Sequence, residues 1–287
     1  MQILKTSASK IFVGGFAMAV AVLMAGCAIT FGYRHADWLI RWQVDHYLDL
    51  NAGQRRDVTA RLEVLLRRHR TEALPRYERF LQDVQERVAR GLTNEDLDWL
   101  YASYDHFRAD LFERLAPDGG VVLTSVTDKQ VGHFEDILQK EERKAARVLQ
   151  KPAVARLEDR AQKILSWAED WLGPLSHEQS GRIRQWSLAL PDTQPVWWEY
   201  RRQRQQELVT MMRRRPPTVE ATQVLRAMFV TPDQSAPPVY LDTVKELRVR
   251  LTTMLLGIDR TLTPRQRRKA IATLQKLIDD VHGLHAS

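Results

Sequence analysis

Apolar side chains recur at intervals of three and four residues along nearly all of the chain beyond residue 35. The densest run is a single stripe of seven: Leu97, Leu100, Tyr101, Tyr104, Phe107, Leu111 and Leu115. This spacing places side chains on one face of a helix. A half-buried strand would need strict alternation, and no window alternates for long enough. The pattern therefore predicts an all-α protein.

Further stripes indicate other helices of the same kind. They are Val58, Leu62, Leu65 and His69; Val154, Leu157, Ala161, Ile164, Leu165, Ala168 and Trp171; Tyr240, Val244, Leu247, Leu251, Leu255 and Ile258; and Leu274, Leu277, Ile278 and Val281. Turn residues predict helix breaks at Pro117-Asp118-Gly119-Gly120, Gly173-Pro174, Pro191, Pro216-Pro217 and Thr231 to Pro238. We expect an irregular multi-helix bundle of about nine amphipathic helices over residues 36–287. A division into two sub-bundles, 36–173 and 174–287, stays open.

A recurring motif predicts where several helices begin. Its copies are Leu50-Asn51-x-x-Gln54, Leu175-Ser176-x-x-Gln179 and Leu262-Thr263-x-x-Gln266, with Leu92-Thr93-x-x-Asp96 as a variant. This is the pattern of a capping box, in which the cap oxygen accepts a backbone N–H of the first turn and the later side chain reaches back. The uneven spacing of the copies favours an irregular bundle over a solenoid of repeats.

The amino terminus has the pattern of a secretory signal peptide. Lys5 and Lys10 precede an apolar run, and small residues lead to Cys27, the single cysteine of the chain. The run Leu23-Met24-Ala25-Gly26-Cys27 resembles the lipobox of bacterial lipoproteins. This resemblance implies removal of residues 1–26, lipid on Cys27, an acylated new amino terminus (palmitate is a typical acyl chain) and a lipidated tether over residues 27–35.

The alternative for this segment is an uncleaved membrane anchor, because no charge lies between Lys10 and Arg34. Three glycines dilute the run, and a solitary cysteine at a cleavage position favours the lipoprotein interpretation. Ala28 follows the cysteine, and retained inner-membrane lipoproteins usually carry Asp there. The resemblance therefore implies a lipid anchor in the outer membrane of the cell envelope. We expect the body to face the periplasm, and exposure at the cell surface stays open as the alternative.

The first part of the mature chain resembles a known family. The residues are Tyr33-x-x-Ala36-Asp37-Trp38-Leu39-x-x-Trp42-x-x-Asp45-x-Tyr47-x-Asp49-Leu50-x-x-x-Gln54 and, later, Leu74-Pro75-Arg76-Tyr77. They look like a family of uncharacterised helical lipoproteins of Gram-negative bacteria, domain of unknown function 6279. The resemblance implies an envelope location and an all-helical fold, and it brings no activity.

A second resemblance concerns the element Leu262 to Gln266. It is similar to the Leu-Thr-x-x-Gln motif of small periplasmic helical chaperones and stress sensors, which carry the motif twice. Only one strict copy is present here, and a capped helix start explains the same residues. A chaperone-like, client-binding function is therefore kept as an alternative.

The sequence offers little for catalysis or for a metal. No nucleophile lies in a glycine-framed turn, and no glycine-rich phosphate loop is present. Asp45, His46 and Asp49 are the one constellation that a hydrolase or metal-dependent enzyme could use, although a salt-bridged helix face explains them as well. His282-x-x-His285 could bind a divalent metal, but it lies next to the chain end, where helices fray. We expect no enzymatic activity, no cofactor and no metal.

The strongest local composition is an aromatic and basic segment. Its candidate partner-binding residues are Trp197, Trp198, Tyr200, Arg201, Arg202, Arg204, Arg213, Arg214 and Arg215. Arginine beside tryptophan can bind phosphate while the ring lies at an interface or stacks on a ligand. The alternative is a purely structural role, in which Trp197, Tyr200, Leu208 and Met212 pack inward while the arginines are solvated.

The charge of the chain agrees with an anionic partner. Its formal net charge is +7, and removal of Lys5 and Lys10 with the signal peptide leaves +5. Export argues against nucleic acid. We expect an outer-membrane lipoprotein whose body binds an envelope partner, which could be a protein, an anionic lipid or a cell-wall polymer.

Overall fold

The computed structural model describes residues 32–286, and these residues form eleven α-helices and no strand. The helices are α1 (Ala36–Leu48), α2 (Ala52–Arg68), α3 (Leu74–Arg90), α4 (Asn94–Thr124), α5 (Asp128–Leu149), α6 (Ala153–Leu172), α7 (His177–Ala189), α8 (Gln194–Arg214), α9 (Thr218–Phe229), α10 (Pro238–Thr261) and α11 (Pro264–His285). A π-helical turn, His69–Ala73, joins α2 to α3, and a short 3-10 helix, Pro232–Gln234, precedes α10. The predicted all-α class is confirmed, and the expected number of about nine helices is close. Cys27 lies outside the described residues.

One predicted break is wrong, because α4 runs without interruption through Pro117-Asp118-Gly119-Gly120. The two glycines are packed against α9. A Cβ on Gly119 would lie 2.9 Å from Leu225, and one on Gly120 would lie 2.5 Å from the Thr222 hydroxyl. Here glycine permits close approach of two helices. We attribute the survival of the helix past Pro117 to this packing, because proline otherwise costs a helix interior about 3 kcal/mol.

The other four predicted breaks are confirmed. Gly173 ends α6 with a positive φ of 79°, and Arg215 ends α8 in the left-handed region with φ 47°. Two boundaries were missed, at residues 125–127 and 150–152. The first boundary contains neither glycine nor proline, and these are the residues from which helix breaks were predicted.

All four predicted capping boxes are present, at Asn51, Thr93, Ser176 and Thr263. A fifth, which the sequence analysis missed, begins α5 at Thr127 and uses Gln130. In each box the cap side chain accepts the backbone N–H three residues later, while the later side chain accepts the backbone N–H of the cap.

The glutamines of these boxes also join helix starts in pairs. Gln54 and Gln130 exchange side-chain hydrogen bonds at 3.2 and 2.8 Å, and Gln130 also donates to the Leu48 carbonyl at 2.9 Å. Gln179 and Gln266 exchange two bonds of 2.9 Å. Gln266, the glutamine of the Leu-Thr-x-x-Gln element, is therefore buried in an internal junction.

The hydrophobic core joins residues from both sides of the possible boundary between two sub-bundles at residues 173 and 174. One cluster combines Leu74 and Leu81 of α3 with five residues of α11. The stripe predicted on α11 is fully buried: Leu274, Leu277, Ile278 and Val281. Val154 was wrongly assigned to a buried stripe. It is 75 % exposed at the start of α6, whereas Ala161 of the same stripe is fully buried.

No helix within residues 32–286 combines the length and the apolarity that crossing a membrane requires.

Candidate functional site

The aromatic and basic segment predicted as a partner-binding site forms α8. Two of its side chains point inward: Tyr200 is 9 % exposed and donates to the Pro232 carbonyl at 3.1 Å, and Met212 is fully buried. Trp197 and Trp198 are half-buried and meet edge to face, with ring centroids 4.9 Å apart. The inward packing expected for a purely structural role is therefore confirmed for Tyr200 and Met212.

Each of the six arginines on this segment has a carboxylate partner inside the protein. The pairs are Arg201 with Glu141 (2.5 Å), Arg202 with Glu199 (2.8 Å), Arg204 with Glu207 (4.0 Å), Arg213 with Glu135 (2.6 Å), Arg214 with Glu220, and Arg215 with Asp128 (3.0 Å). Three of these acids, Asp128, Glu135 and Glu141, belong to α5. The arginines thus fasten α8 to α5, and less unpaired charge is available on α8 than the sequence suggests.

The Arg201–Glu141 pair is the most buried of the six, with side chains 9 % and 16 % exposed. The same carboxylate accepts a hydrogen bond from the Tyr47 hydroxyl of α1 at 2.5 Å. Burial, together with this bond to a carboxylate, raises the pKa of Tyr47 far above its ordinary value. Tyr47 is therefore a permanent donor, and this network joins α1, α5 and α8.

A second basic surface lies on the opposite side of α5. Lys140, Arg143, Lys144 and Arg147 are spaced so that they share one helix face, and all four are exposed. Within residues 32–286 none of these four forms an ion pair. Asp136 lies one turn earlier on the same face as Lys140. The second half of α5 therefore presents four unpartnered cations to solvent.

An exposed aromatic row runs along α1. Trp38 and Trp42 are 56 % and 46 % exposed, and their rings stack with centroids 6.5 Å apart. The Trp42 ring in turn stacks on His46 at 5.5 Å, with only 6° between the planes. Several large aromatic side chains exposed side by side on a helix surface are unusual, so this row is a candidate contact surface.

The aromatic row and the basic stripe adjoin. His133, on the same face of α5 as Lys140, lies with its Nε2 atom 3.0 Å from the His46 carbonyl. Because Gln130 also contacts Leu48, the two helices run antiparallel. The aromatic row therefore meets α5 at His133, two turns before Lys140 on the same face. We call this combined surface the α1–α5 face. It consists of Trp38, Trp42, His46, His133, Lys140, Arg143, Lys144 and Arg147.

The constellation considered for catalysis has structural partners. Asp45 accepts from Arg55 at 2.8 Å and from the backbone N–H of Leu50 at 3.2 Å. Asp49 ends α1 in the left-handed region, with φ 44°. His46 belongs to the aromatic row. These contacts shape the turn between α1 and α2, and among the described residues Asp45, His46 and Asp49 form no metal-ligating group.

The two histidines near the chain end gain a third partner that the sequence did not reveal. Glu78 of α3 lies beside His282 and His285 of α11, and the three side chains form a group that could hold a metal ion. Their separation along the chain is about two hundred residues. No local motif could have indicated Glu78, because only the packing of α3 on α11 brings it there.

The model of the Family of unknown function (DUF6279) matches residues 46–240, which is more than half of the chain. No curated protein and no solved structure matches significantly. The comparisons therefore support the family resemblance inferred from the sequence and supply no activity.

Proposed function

We propose that this chain, which belongs to the DUF6279 family of unknown function, is an outer-membrane lipoprotein whose helical body lies on an anionic membrane surface. In this proposal Cys27 carries the lipid and becomes the first residue of the mature protein. The body acts by binding, without catalysis. The observation that carries the proposal is the α1–α5 face, in which unpartnered cations of α5 share a surface with exposed tryptophans of α1, a helix close to Cys27 in the sequence.

The position of α1 in the chain supports this arrangement. Ala36 begins the helix nine positions after Cys27. An extended chain covers at most about 3.3–3.6 Å per residue, so the start of α1 is held within about 30 Å of the lipid. The near end of the described chain is attached to the body, because the Tyr33 hydroxyl lies 3.0 Å from Nδ1 of His69. The body therefore has little freedom to move away from the membrane.

The chemistry of the α1–α5 face suits a lipid surface better than a folded protein partner. Tryptophan favours the boundary between hydrocarbon and headgroups, where one end of the ring is apolar and the other is wet. Each lysine or arginine near an anionic bilayer contributes about 1 kcal/mol. Four such residues on α5 would add about 4 kcal/mol to an attachment that acyl chains already make effectively permanent. We infer that the face sets the orientation of the body on the membrane.

The lipid anchor is tested by mass spectrometry of the native protein. We expect an acylated Cys27 at the amino terminus, and Cys27→Ser should leave the precursor uncut or release the body. A membrane-held, fully processed protein that retains Met1 would contradict the anchor.

The docking face is tested separately with the body alone, residues 28–287. It should sediment with phosphatidylcholine vesicles that contain phosphatidylglycerol and stay in solution with phosphatidylcholine alone. Brominated lipids should quench the fluorescence of the parent more than that of a Trp38→Phe, Trp42→Phe variant. Equal binding to both vesicle types, or equal quenching of both proteins, would contradict docking through this face and favour a protein or polymer partner.

A further inference from the structure

Two imidazoles and one carboxylate meet where the end of α11 lies against α3. Nε2 of His285 is 2.5 Å from one oxygen of Glu78, and Nδ1 of His282 is 3.2 Å from the other. The three potential ligand atoms all lie within 4.8 Å of one another. The histidines are three residues apart, which puts them on one face of α11 as neighbours.

This donor set and its dimensions fit a zinc-type ion. Zinc is bound by histidine nitrogen and carboxylate oxygen at about 2.0–2.2 Å. Two ligands of one tetrahedral ion are therefore about 3.3 Å apart, close to the separation of Glu78 and His282. His285 would have to retreat by less than about 1 Å from its hydrogen bond to reach the same spacing. The ligand atoms of the two histidines, which lie within 4.8 Å of each other, would also have to come to about that spacing.

The surroundings favour a cation. The site lies at the carboxyl end of α11, where the unpaired carbonyls of the last turn carry partial negative charge. Glu78 and His285 are each 17 % exposed, which limits competition from water, while His282 is 61 % exposed and leaves an entrance. The Gln82 amide, 3.5 Å from the Glu78 carboxylate, helps to fix its orientation.

We propose that Glu78, His282 and His285 bind a single divalent ion of the zinc class. Three protein ligands leave the fourth position to water. The ion would fasten the last turn of α11 to α3 and so fix the carboxyl end of the chain. The alternative is that the same three residues form only a hydrogen-bonded group that binds no ion. The experiment must distinguish these two possibilities.

The test uses the full chain purified in detergent without a polyhistidine tag, stripped with a chelator and then titrated with zinc chloride by calorimetry. We expect one ion per chain and a higher melting temperature, because a ligand of the folded state stabilises it. Cobalt chloride, followed by visible absorption, should give the spectrum of four-coordinate Co²⁺. Glu78→Gln keeps the size of the side chain and a hydrogen-bonding oxygen while removing the charged ligand. It should weaken zinc binding by more than the roughly 10–100-fold typical of outer-shell changes.

Two further variants keep the test decisive. His282→Gln changes an exposed side chain, so folding should be unaffected while zinc binding falls. His177→Ala removes an exposed histidine elsewhere and should bind zinc like the parent. The proposal is overturned if the parent shows no stoichiometric binding, or if Glu78→Gln and His282→Gln bind zinc as tightly as the parent.

Discussion

The two basic surfaces that flank α5 differ in what their charges do. On the α8 side six arginines have carboxylate partners, three of them supplied by α5. On the other side four cations of α5 are exposed and form no ion pair within the described chain. The α8 segment is the more conspicuous of the two in the sequence. A dense run of arginines can therefore serve packing between helices, while a sparser stripe of cations is the one available to a partner.

The largest expected effect on stability comes from the buried end of α8. Arg201→Gln leaves Glu141 buried with its charge uncompensated, which should cost about 3–5 kcal/mol of unfolding free energy. In a body of this size the melting temperature should fall by roughly 10 °C. Lys144→Gln is the matched control on α5, where the exposed charge has no partner. Equal melting temperatures for the two variants would contradict the difference between the paired charges of α8 and the unpaired charges of α5.

The next effect concerns the junction that holds α5 beside α1. Gln130→Ala removes the donor to the Leu48 carbonyl and the partner of Gln54, so buried polar atoms lose their bonds. We expect a loss of about 2–3 kcal/mol in chemical denaturation. Gln139→Ala, an exposed glutamine on the same helix, should have no such effect. If the two variants unfold alike, the glutamine pairs are not structural.

The aromatic row should affect vesicle binding more than stability. Replacing Trp38 and Trp42 with alanine removes exposed rings that would be buried at the lipid interface, at about 1–2 kcal/mol per ring. Vesicle sedimentation should weaken accordingly, with an unchanged circular dichroism spectrum. Val249→Ala, which removes an exposed apolar side chain from α10, should bind like the parent. A loss of binding in both proteins would point to general stickiness.

The smallest effect is expected at the exposed end of α8. The Arg213 side chain is 60 % exposed, and its pair with Glu135 is screened by solvent. Arg213→Gln should therefore leave both the melting temperature and vesicle binding close to those of the parent. A clear loss of binding in this variant would restore the α8 arginines as a partner surface.

Much of the fold follows from the sequence. Helical spacing predicted the class, and the capping boxes at Asn51, Thr93, Ser176 and Thr263 fixed four helix starts, because cap chemistry is local. The errors arise where a local signal has two meanings. Gly119 and Gly120 resemble a turn in the sequence, but in the structure they allow α9 to approach α4 closely.

The site residues were less predictable, because availability depends on contacts between distant parts of the chain. Nothing near Arg213 in the sequence indicates that Glu135 neutralises it. Glu78 likewise meets His285 only through the packing of α3 on α11. The opposite holds for Cys27, whose signal is entirely local. The described residues do not include it, and its lipidation stays a prediction.

The most direct test of the account compares two sets of four neutralised cations. One variant replaces Lys140, Arg143, Lys144 and Arg147 with glutamine. The other replaces Arg202, Arg213, Arg214 and Arg215, which removes the same charge from the other side of α5. Sedimentation of the body with anionic vesicles is measured from 0.01 M to 1 M salt, where the Debye length falls from about 30 Å to about 3 Å.

At low salt the variant without the four α5 cations should lose about 4 kcal/mol of the free energy of binding to anionic vesicles, roughly a thousandfold in affinity. The second set should bind nearly as well as the parent, and the parent itself should be released as salt rises. Equal losses in the two variants would mean that net charge alone governs binding. Stronger binding by the first variant than by the second would contradict the α1–α5 face as the docking surface.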